Sequence, residues 1–245
     1  MYSKGCNPTV TLFIPVRNEI EGLKIIMPRI KREWCDEILI VDGSSTDGSK
    51  EFLLASGYQV FDQKSKGIKG AFWEGFELAS CDVIIPFSPD GNSIPEDIPK
   101  LISKIREGYS IVVASRYKDG IQSEDDDLAS RFANKVFTGL INLLFGTRCS
   151  DCLNMFKAFY KSQLYELEID RFKDEHSEIM LLARGARYGL KISEIASPEP
   201  PRIGTPGSRA HPGIFGKAKS AVGLLKTIFR DAIFYRPWKS STDGT

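Results

Sequence analysis

The run Thr9-Val10-Thr11-Leu12-Phe13-Ile14-Pro15-Val16 ends in Arg17-Asn18-Glu19, and a second run, Glu37-Ile38-Leu39-Ile40-Val41-Asp42, ends in Gly43-Ser44-Ser45. Both are short, apolar and rich in β-branched side chains, which is the pattern of strands covered on two faces. Residues 19–32 between them have helical spacing. The alternation continues outward: a helix over 47–56, a short strand over 59–62, a helix over 70–79, a strand over 82–87, a helix over 96–107 and a strand over 110–115. This order predicts a mainly parallel, doubly wound sheet. Such sheets bind ligands beyond the carboxyl ends of their strands. The candidate functional groups are therefore Arg17-Asn18-Glu19, Asp42 to Ser45, Ser88-Pro89-Asp90-Gly91-Asn92 and Ser115-Arg116-Tyr117. Beyond residue 117 the rhythm changes. An acidic loop at 124–127, read as solvated, precedes a long helix over 128–145. A strand over 155–160, a helix over 175–188, a strand over 191–195, a Pro- and Gly-rich loop over 198–213 and a final amphipathic helix over 216–234 follow.

Composition narrows the class. With 245 residues, 42% of them hydrophobic, the chain can build one sizeable core, and its net charge of +1 excludes a polycation made for nucleic acid. Five cysteines, an odd number, follow no apolar leader, so reduced thiols and a cytoplasmic location are expected. No apolar run approaches the roughly 18 residues of a membrane span. Neither a dinucleotide glycine fingerprint nor a P-loop is present. Cys149-Ser150-Asp151-Cys152 has redox spacing without the surrounding thioredoxin pattern, and zinc is disfavoured because only His176 and His211 accompany scattered cysteines.

Two clusters carry the chemistry. In Val41-Asp42-Gly43-Ser44-Ser45-Thr46-Asp47-Gly48, Asp42 can accept from a base N–H or a ribose hydroxyl, and Gly43 permits close approach of a ligand. The same residues also suit a helix start with Ser45 or Thr46 as N-cap and Asp47 in the first turn. In Ser88 to Asn92, oxygen donors at alternate positions suit Mg²⁺ or Mn²⁺ on a diphosphate, although Pro-Asp-Gly is also an ordinary turn. Lys69, near a helix N-terminus, and Arg116 are candidate phosphate binders.

The ordered set resembles family 2 glycosyltransferases, within them the dolichyl-phosphate mannose synthase-like branch that acts on polyprenyl phosphates. The resemblance rests on residues 13–19, on Ile40-Val41-Asp42 through Asp47-Gly48, and on Gly67-Ile68-Lys69-Gly70-Ala71, similar to a turn before that family's third helix. It continues through residues 84–95 around an Asp-x-Asp metal motif, Val113 to Tyr117 with Arg131 and Asn134, and residues 151–159. Glu178, Arg184, Glu194, Arg202-x-Gly and Ser208-Arg209 complete it. It implies a GT-A type, Rossmann-like α/β domain over 1–212 with a mainly parallel sheet, flanking helices and a C-terminal amphipathic helix over 213–245. It further implies that Pro15, Glu19 and Asp42, with Arg17, Lys69 and Ser88 nearby, hold the donor nucleotide. Asp90 and Asn92 would bind Mg²⁺ or Mn²⁺, Arg116, Arg131 and Lys157 an acceptor phosphate, and Arg202, Ser208 and Arg209 would lie on a lid. Ser88 stands where the family has the first aspartate of its metal motif, and Lys157 where it has an arginine.

The implied reaction moves a hexose from a UDP- or GDP-sugar to a polyprenyl phosphate or a glycan hydroxyl. A hydroxyl acceptor needs a carboxylate base, and Asp151 is the candidate; its other reading is a cap or an arginine partner. A nucleotidyltransferase and a sugar-nucleotide-binding domain with weakened catalysis are the rivals. Residues 201–239 hold eight Lys/Arg against the single acid Asp231. Ala221, Val222, Leu225, Ile228, Phe229, Ala232 and Ile233 share a face of the last helix, which suits either anionic lipid at the inner membrane face or docking on the domain or a second subunit.

Overall fold

The computed structural model describes residues 7–170, 176–204 and 214–236, and the side chains of α8 from residue 219. Cys6, Ser208, Arg209 and His211 lie outside the described residues. Seven strands form one sheet: β1 (Val10–Val16), β2 (Glu37–Asp42), β3 (Val60–Asp62), β4 (Val83–Pro86), β5 (Ile111–Ser115), β6 (Lys157–Tyr160) and β7 (Ile192–Ala196), in the order β3-β2-β1-β4-β6-β5-β7. All neighbours run parallel except β6, which is antiparallel to both β4 and β5. Two reversals restore direction, so β1, β2, β4 and β5 end on the same edge. The α/β architecture expected from the sequence is present, with this inserted antiparallel strand as the addition.

Period-two alternation divides the core. Leu12, Ile14, Ile40, Ile85, Val112 and Ala114 face α1 (Ile20–Ile26), α2 (Ser49–Ala55) and α4 (Ile98–Arg106). Phe13, Leu39, Val41, Ile84, Ile111 and Val113 face α3 (Gly67–Leu78), α5 (Leu128–Phe145), α6 (Gln163–Glu166), α7 (Ser177–Tyr188) and α8 (Ile214–Phe234). Each fully buried Leu, Ile, Val or Phe in these layers contributes about 1.5–3 kcal/mol. Pro15 is tolerated in a central strand because it follows the last β4 bond, Phe87 N–H to the Phe13 carbonyl at 2.8 Å, where β4 has already turned away.

Three helices depart from the sequence reading. Helix α1 ends at Ile26 because Pro28 lacks a donor and disfavours helix in the residue before it; short 3₁₀ turns, Met27–Arg29 and Arg32–Trp34, replace the rest. Helix α3 begins at Gly67 rather than Gly70, so Gly67-Ile68-Lys69-Gly70 is its first turn. Gln63 Nε2 donates to the Gly67 carbonyl at 2.7 Å, and Glu74 reaches back to accept from Lys64 N–H at 2.8 Å, which steadies that start. The apolar arc expected on α8 divides: Ile228 of that arc, with Leu224 outside it, is buried against α5 and α7, whereas Val222, Phe229 and Ile233 are exposed, and Asp231, 2% exposed, pairs with Arg184 at 2.6 Å.

Candidate active site

The loops after β1 and β2 are laced together by backbone donors. Asn18 N–H donates to Ser45 Oγ at 3.0 Å, Glu19 N–H to Ser49 Oγ at 2.9 Å, Ile20 N–H to Asp47 Oδ2 at 3.0 Å, and Thr46 N–H to Asn18 Oδ1 at 2.8 Å. The predicted caps are thus corrected: Gly48, with φ of 92°, occupies the N-cap of α2, and Ser45 and Thr46 tie the two loops instead. Asp42, 1% exposed, accepts from Ser45 N–H through Oδ2 at 3.0 Å, while its Oδ1 is buried with no partner among the described residues. A buried unpaired carboxylate oxygen is costly, and it marks where a ligand donor would be received. Gly43 lies between Gln63 and Arg17, close enough that a Cβ would crowd Gln63 Oε1 at 2.9 Å.

The loop after β4 folds against α1, with Gly22 allowing the approach of the Pro89 carbonyl. Asp90 Oδ1 accepts from Asn92 N–H at 3.2 Å; Asn92 Nδ2 donates to Asp125 at 2.9 Å, and Asn92 Oδ1 is buried without a partner among the described residues. Arg202 crosses this loop. Its Nη2 lies 2.8 Å from Asp90 Oδ2 and 3.2 Å from Glu19 Oε1. Ile203 N–H donates to the Asp90 carbonyl at 2.7 Å, and its side chain covers Gly91. Asp42 and Asp90 therefore belong to one bonded network, running Asp42–Ser45–Asn18 and then Glu19–Arg202–Asp90 around the end of β1.

The donor set fits a hard divalent cation. One carboxylate and one unpartnered amide oxygen are oxygen ligands of the kind Mg²⁺ and Mn²⁺ prefer, and such ions usually complete their shell with phosphate oxygens and water. Among the described residues no group of three or more His, Cys, Asp or Glu could hold a metal unaided. The phosphates of a ligand would have to supply the remainder.

Beyond β5, Arg116 is enclosed by carboxylates. Its Nε donates to Asp151 Oδ2 at 2.7 Å and its Nη2 to Asp151 Oδ1 at 3.2 Å, while Nη1 lies 3.4 Å from both Asp126 and Glu199. Asp151 is 0% exposed and also accepts from Asn134 Nδ2 at 3.0 Å, Leu153 N–H at 3.1 Å and Asn154 N–H at 3.2 Å. Glu194 holds the same loop by accepting from Ser150 N–H and Asp151 N–H. Burial alone would raise the Asp151 carboxyl, but Arg116 and Asn134 outweigh it and hold it below its usual value. Burial pushes Glu199 upward against the pull of Arg116.

These contacts correct several expectations. Asp151 is an arginine partner with its oxygens filled, so it presents no lone pair to an acceptor hydroxyl. Arg116, facing three carboxylates, sits in a field that opposes a phosphate. Lys157 is 0% exposed and donates to the Glu178 carbonyl at 3.0 Å; its burial lowers its affinity for a proton and leaves no surface for an acceptor. Arg131 is different. Among the described residues its partners are neutral oxygens, the Asp126 and Ser123 carbonyls and Gln122 Oε1, and none is a carboxylate. Lys69 is exposed in the first turn of α3, and Arg17 is exposed beside Gly43. Ser88 is half-buried at the end of β4. The acidic loop is not merely solvated: Asp125 binds Asn92, and Asp126 binds Arg116 and the Tyr117 hydroxyl. Glu199 and Asp126 were missed because nothing local in the sequence links them to Arg116.

The glycosyl transferase family 2 model matches residues 11–167. The chain belongs to that family. This family 2 glycosyltransferase is 27% identical over 195 residues to an uncharacterized protein of Methanocaldococcus jannaschii, covering 76% of the chain and 79% of that protein. It is 29% identical over 164 residues to the undecaprenyl-phosphate 4-deoxy-4-formamido-L-arabinose transferase of Salmonella choleraesuis, covering 61% of the chain and 48% of the transferase. The match thus spans about half the length of that relative. Among solved structures, glucosyl-3-phosphoglycerate synthase from Mycobacterium tuberculosis with Mg²⁺ and UDP superposes with a TM-score of 0.64 at 20% identity, covering 90% of this chain and 79% of that one. The same enzyme with Mn²⁺, UDP and glucosyl-3-phosphoglycerate gives 0.59 at 18% identity, covering 90% of this chain and 80% of that one. These likenesses show the GT-A fold.

Proposed function

We propose that this glycosyltransferase moves a hexose from a UDP- or GDP-sugar to a polyprenyl phosphate, assisted by Mg²⁺ or Mn²⁺ held at Asp90 and Asn92, at the inner face of a membrane. The observation that carries the reading is the pair of buried oxygens, Asp42 Oδ1 and Asn92 Oδ1, left without partners among the described residues, beyond the ends of β2 and β4 on either side of β1. Asp42 would accept from the nucleoside, with Pro15 and Glu19, and Arg17 and Lys69 are the proposed phosphate ligands. The cation, when bound, offsets charge on the departing diphosphate. Arg202 leaves Asp90 and swings onto the diphosphate, adding a second positive group where charge builds. An undecaprenyl-phosphate transferase among the relatives and a UDP-bound synthase among the solved structures support a polyprenyl-phosphate acceptor and a UDP-linked donor.

The occupied state of Asp151 favours a phosphate acceptor over a glycan hydroxyl. A phosphate arrives ionised and needs no base, whereas the base a hydroxyl requires is saturated by Arg116, Asn134 and two backbone donors. Arg131, with no carboxylate partner among the described residues, is the group to hold that phosphate. The test is release of UDP or GDP from a panel of sugar nucleotides, with polyprenyl phosphate and Mn²⁺ present. Release that needs the metal and disappears in Asp90→Ala supports the reading. Binding of nucleotide without turnover, indifferent to metal and to Asp90→Ala, replaces it with a binding domain.

A further inference from the structure

Large apolar side chains are exposed along two adjacent helices. On α5 they are Leu128, 83% exposed, Phe132 at 70%, Val136 at 48% and Leu143 at 81%, a single outward stripe by spacing. On α8 the exposed positions Lys219, Val222, Lys226, Phe229 and Ile233 recur every three or four residues, with Phe229 47% and Ile233 56% exposed. The helices pack against each other and α7, and Arg187 ties both C-terminal ends by donating to the Leu144 carbonyl at 3.1 Å and the Ala232 carbonyl at 3.0 Å.

Along the two helices themselves the exposed charges have one sign; the exposed carboxylates Glu124, Asp125 and Asp127 lie in the loop and cap that lead into α5, ahead of Leu128. Helix α5 contains no acidic residue, and the single acid of α8, Asp231, is buried on Arg184. Exposed Lys135, Lys219 and Lys226 remain. A helix meant for water carries both signs on its outer face; apolar side chains among cations alone match a surface that meets anionic lipid. A second copy of the chain fits poorly. A two-fold interface would set this face against itself, the lysines of each helix opposite those of its copy, with no exposed carboxylate on the described side chains of either helix to offset them.

We propose that the outer faces of α5 and α8 together form a docking surface for an anionic lipid bilayer. The stripe on α5 extends the surface well beyond the terminal helix and brings it to the site, because Phe132 directly follows Arg131. Docking would hold Arg131 beside the headgroup layer, where a lipid-linked phosphate lies. That last step rests on the proposed acceptor; the docking itself does not.

The experiment is co-sedimentation of the intact protein with vesicles of phosphatidylcholine alone and of an equal mixture with phosphatidylglycerol. Binding to the mixed vesicles, weakened by salt, is expected, with each of Lys219→Gln and Lys226→Gln costing about fivefold. The double variant Phe132→Ser/Phe229→Ser, checked for an unchanged circular dichroism spectrum, should lose more than tenfold. No binding to mixed vesicles, or equal binding by the double variant, overturns the proposal. So does a wild-type dimer in size-exclusion chromatography that the double variant converts to monomer, since the face is then a protein interface. UDP binding in vesicle-free solution separates the claims. Intact UDP binding without vesicle binding sinks only the docking surface, and vesicle binding without any nucleotide binding sinks only the proposed reaction.

Discussion

Replacing Arg202 by alanine should tighten the hold of the nucleotide-free protein on Mn²⁺. The guanidinium occupies the oxygen that a cation would use: Nη2 is 2.8 Å from Asp90 Oδ2, with side-chain exposures of 20% and 7%. A hydrogen bond between charged groups is worth about 1.5–3 kcal/mol net. Because Arg202 is one-fifth exposed, the lower end applies. A cation that must displace the arginine loses that contact, so its removal should strengthen Mn²⁺ binding by roughly tenfold, at 1.4 kcal/mol per decade. Arg202→Lys, which keeps the charge but loses the fork, should fall between alanine and wild type. The segment should stay in place, since Ile203 still bonds the Asp90 carbonyl and covers Gly91. Isothermal titration with Mn²⁺ alone reads the effect, and sugar-nucleotide turnover by the same variant should fall as the lid loses its charge. Unchanged or weaker Mn²⁺ binding in Arg202→Ala would refute the idea that arginine and cation compete for one place.

Other outcomes follow from the same contacts. Asp151→Asn should destabilise by about 3 kcal/mol at neutral pH, because Arg116 keeps only Asp126 and Glu199. Arg116 holds the folded carboxyl below its usual value, so its stabilisation is complete above the ordinary aspartate range and is lost as the pH falls through the folded value; urea melts should show wild type and variant converging in strong acid. Gly22→Ala would drive a Cβ into the Pro89 carbonyl, costing about 1–3 kcal/mol, and calorimetry should show a lower Tm together with weaker Mn²⁺-dependent UDP binding as the Asp90 loop shifts. Arg184→Met leaves Asp231 buried with only the partly exposed Arg230 beside it, and should cost about 3–5 kcal/mol by chemical denaturation without altering UDP affinity.

The first half of the fold could be read from the chain because each strand is a run of β-branched residues that ends in polar ones, as Ile40-Val41-Asp42-Gly43 does. Local pattern carries that information. It does not carry partners. The arc on α8 reads as apolar whether it meets lipid or protein; only the fold shows Leu224 and Ile228 turned inward and Val222, Phe229 and Ile233 outward. Lys157 reads, by the resemblance, as an acceptor-phosphate ligand until β6, inserted between β4 and β5, carries it into the interior. Arg202 and Asp90 stand far apart in the chain, and Arg116 gathers Asp126, Asp151 and Glu199 from three segments. Those are long-range pairings, set by the order of strands rather than by any motif. Pro28 was a signal within reach, since a proline two residues past Ile26 is sufficient to end α1.

Calorimetric titration of UDP and GDP, with and without Mn²⁺, into wild type, Asp42→Asn and Asp90→Ala reaches the central claim most directly. One pocket across the ends of β1, β2 and β4 predicts Mn²⁺-enhanced binding of one nucleotide. Asp90→Ala should abolish the enhancement, and Asp42→Asn, which sets an amide donor against the base, should weaken binding with or without metal. Equal affinity in all three proteins, unmoved by Mn²⁺, would contradict it.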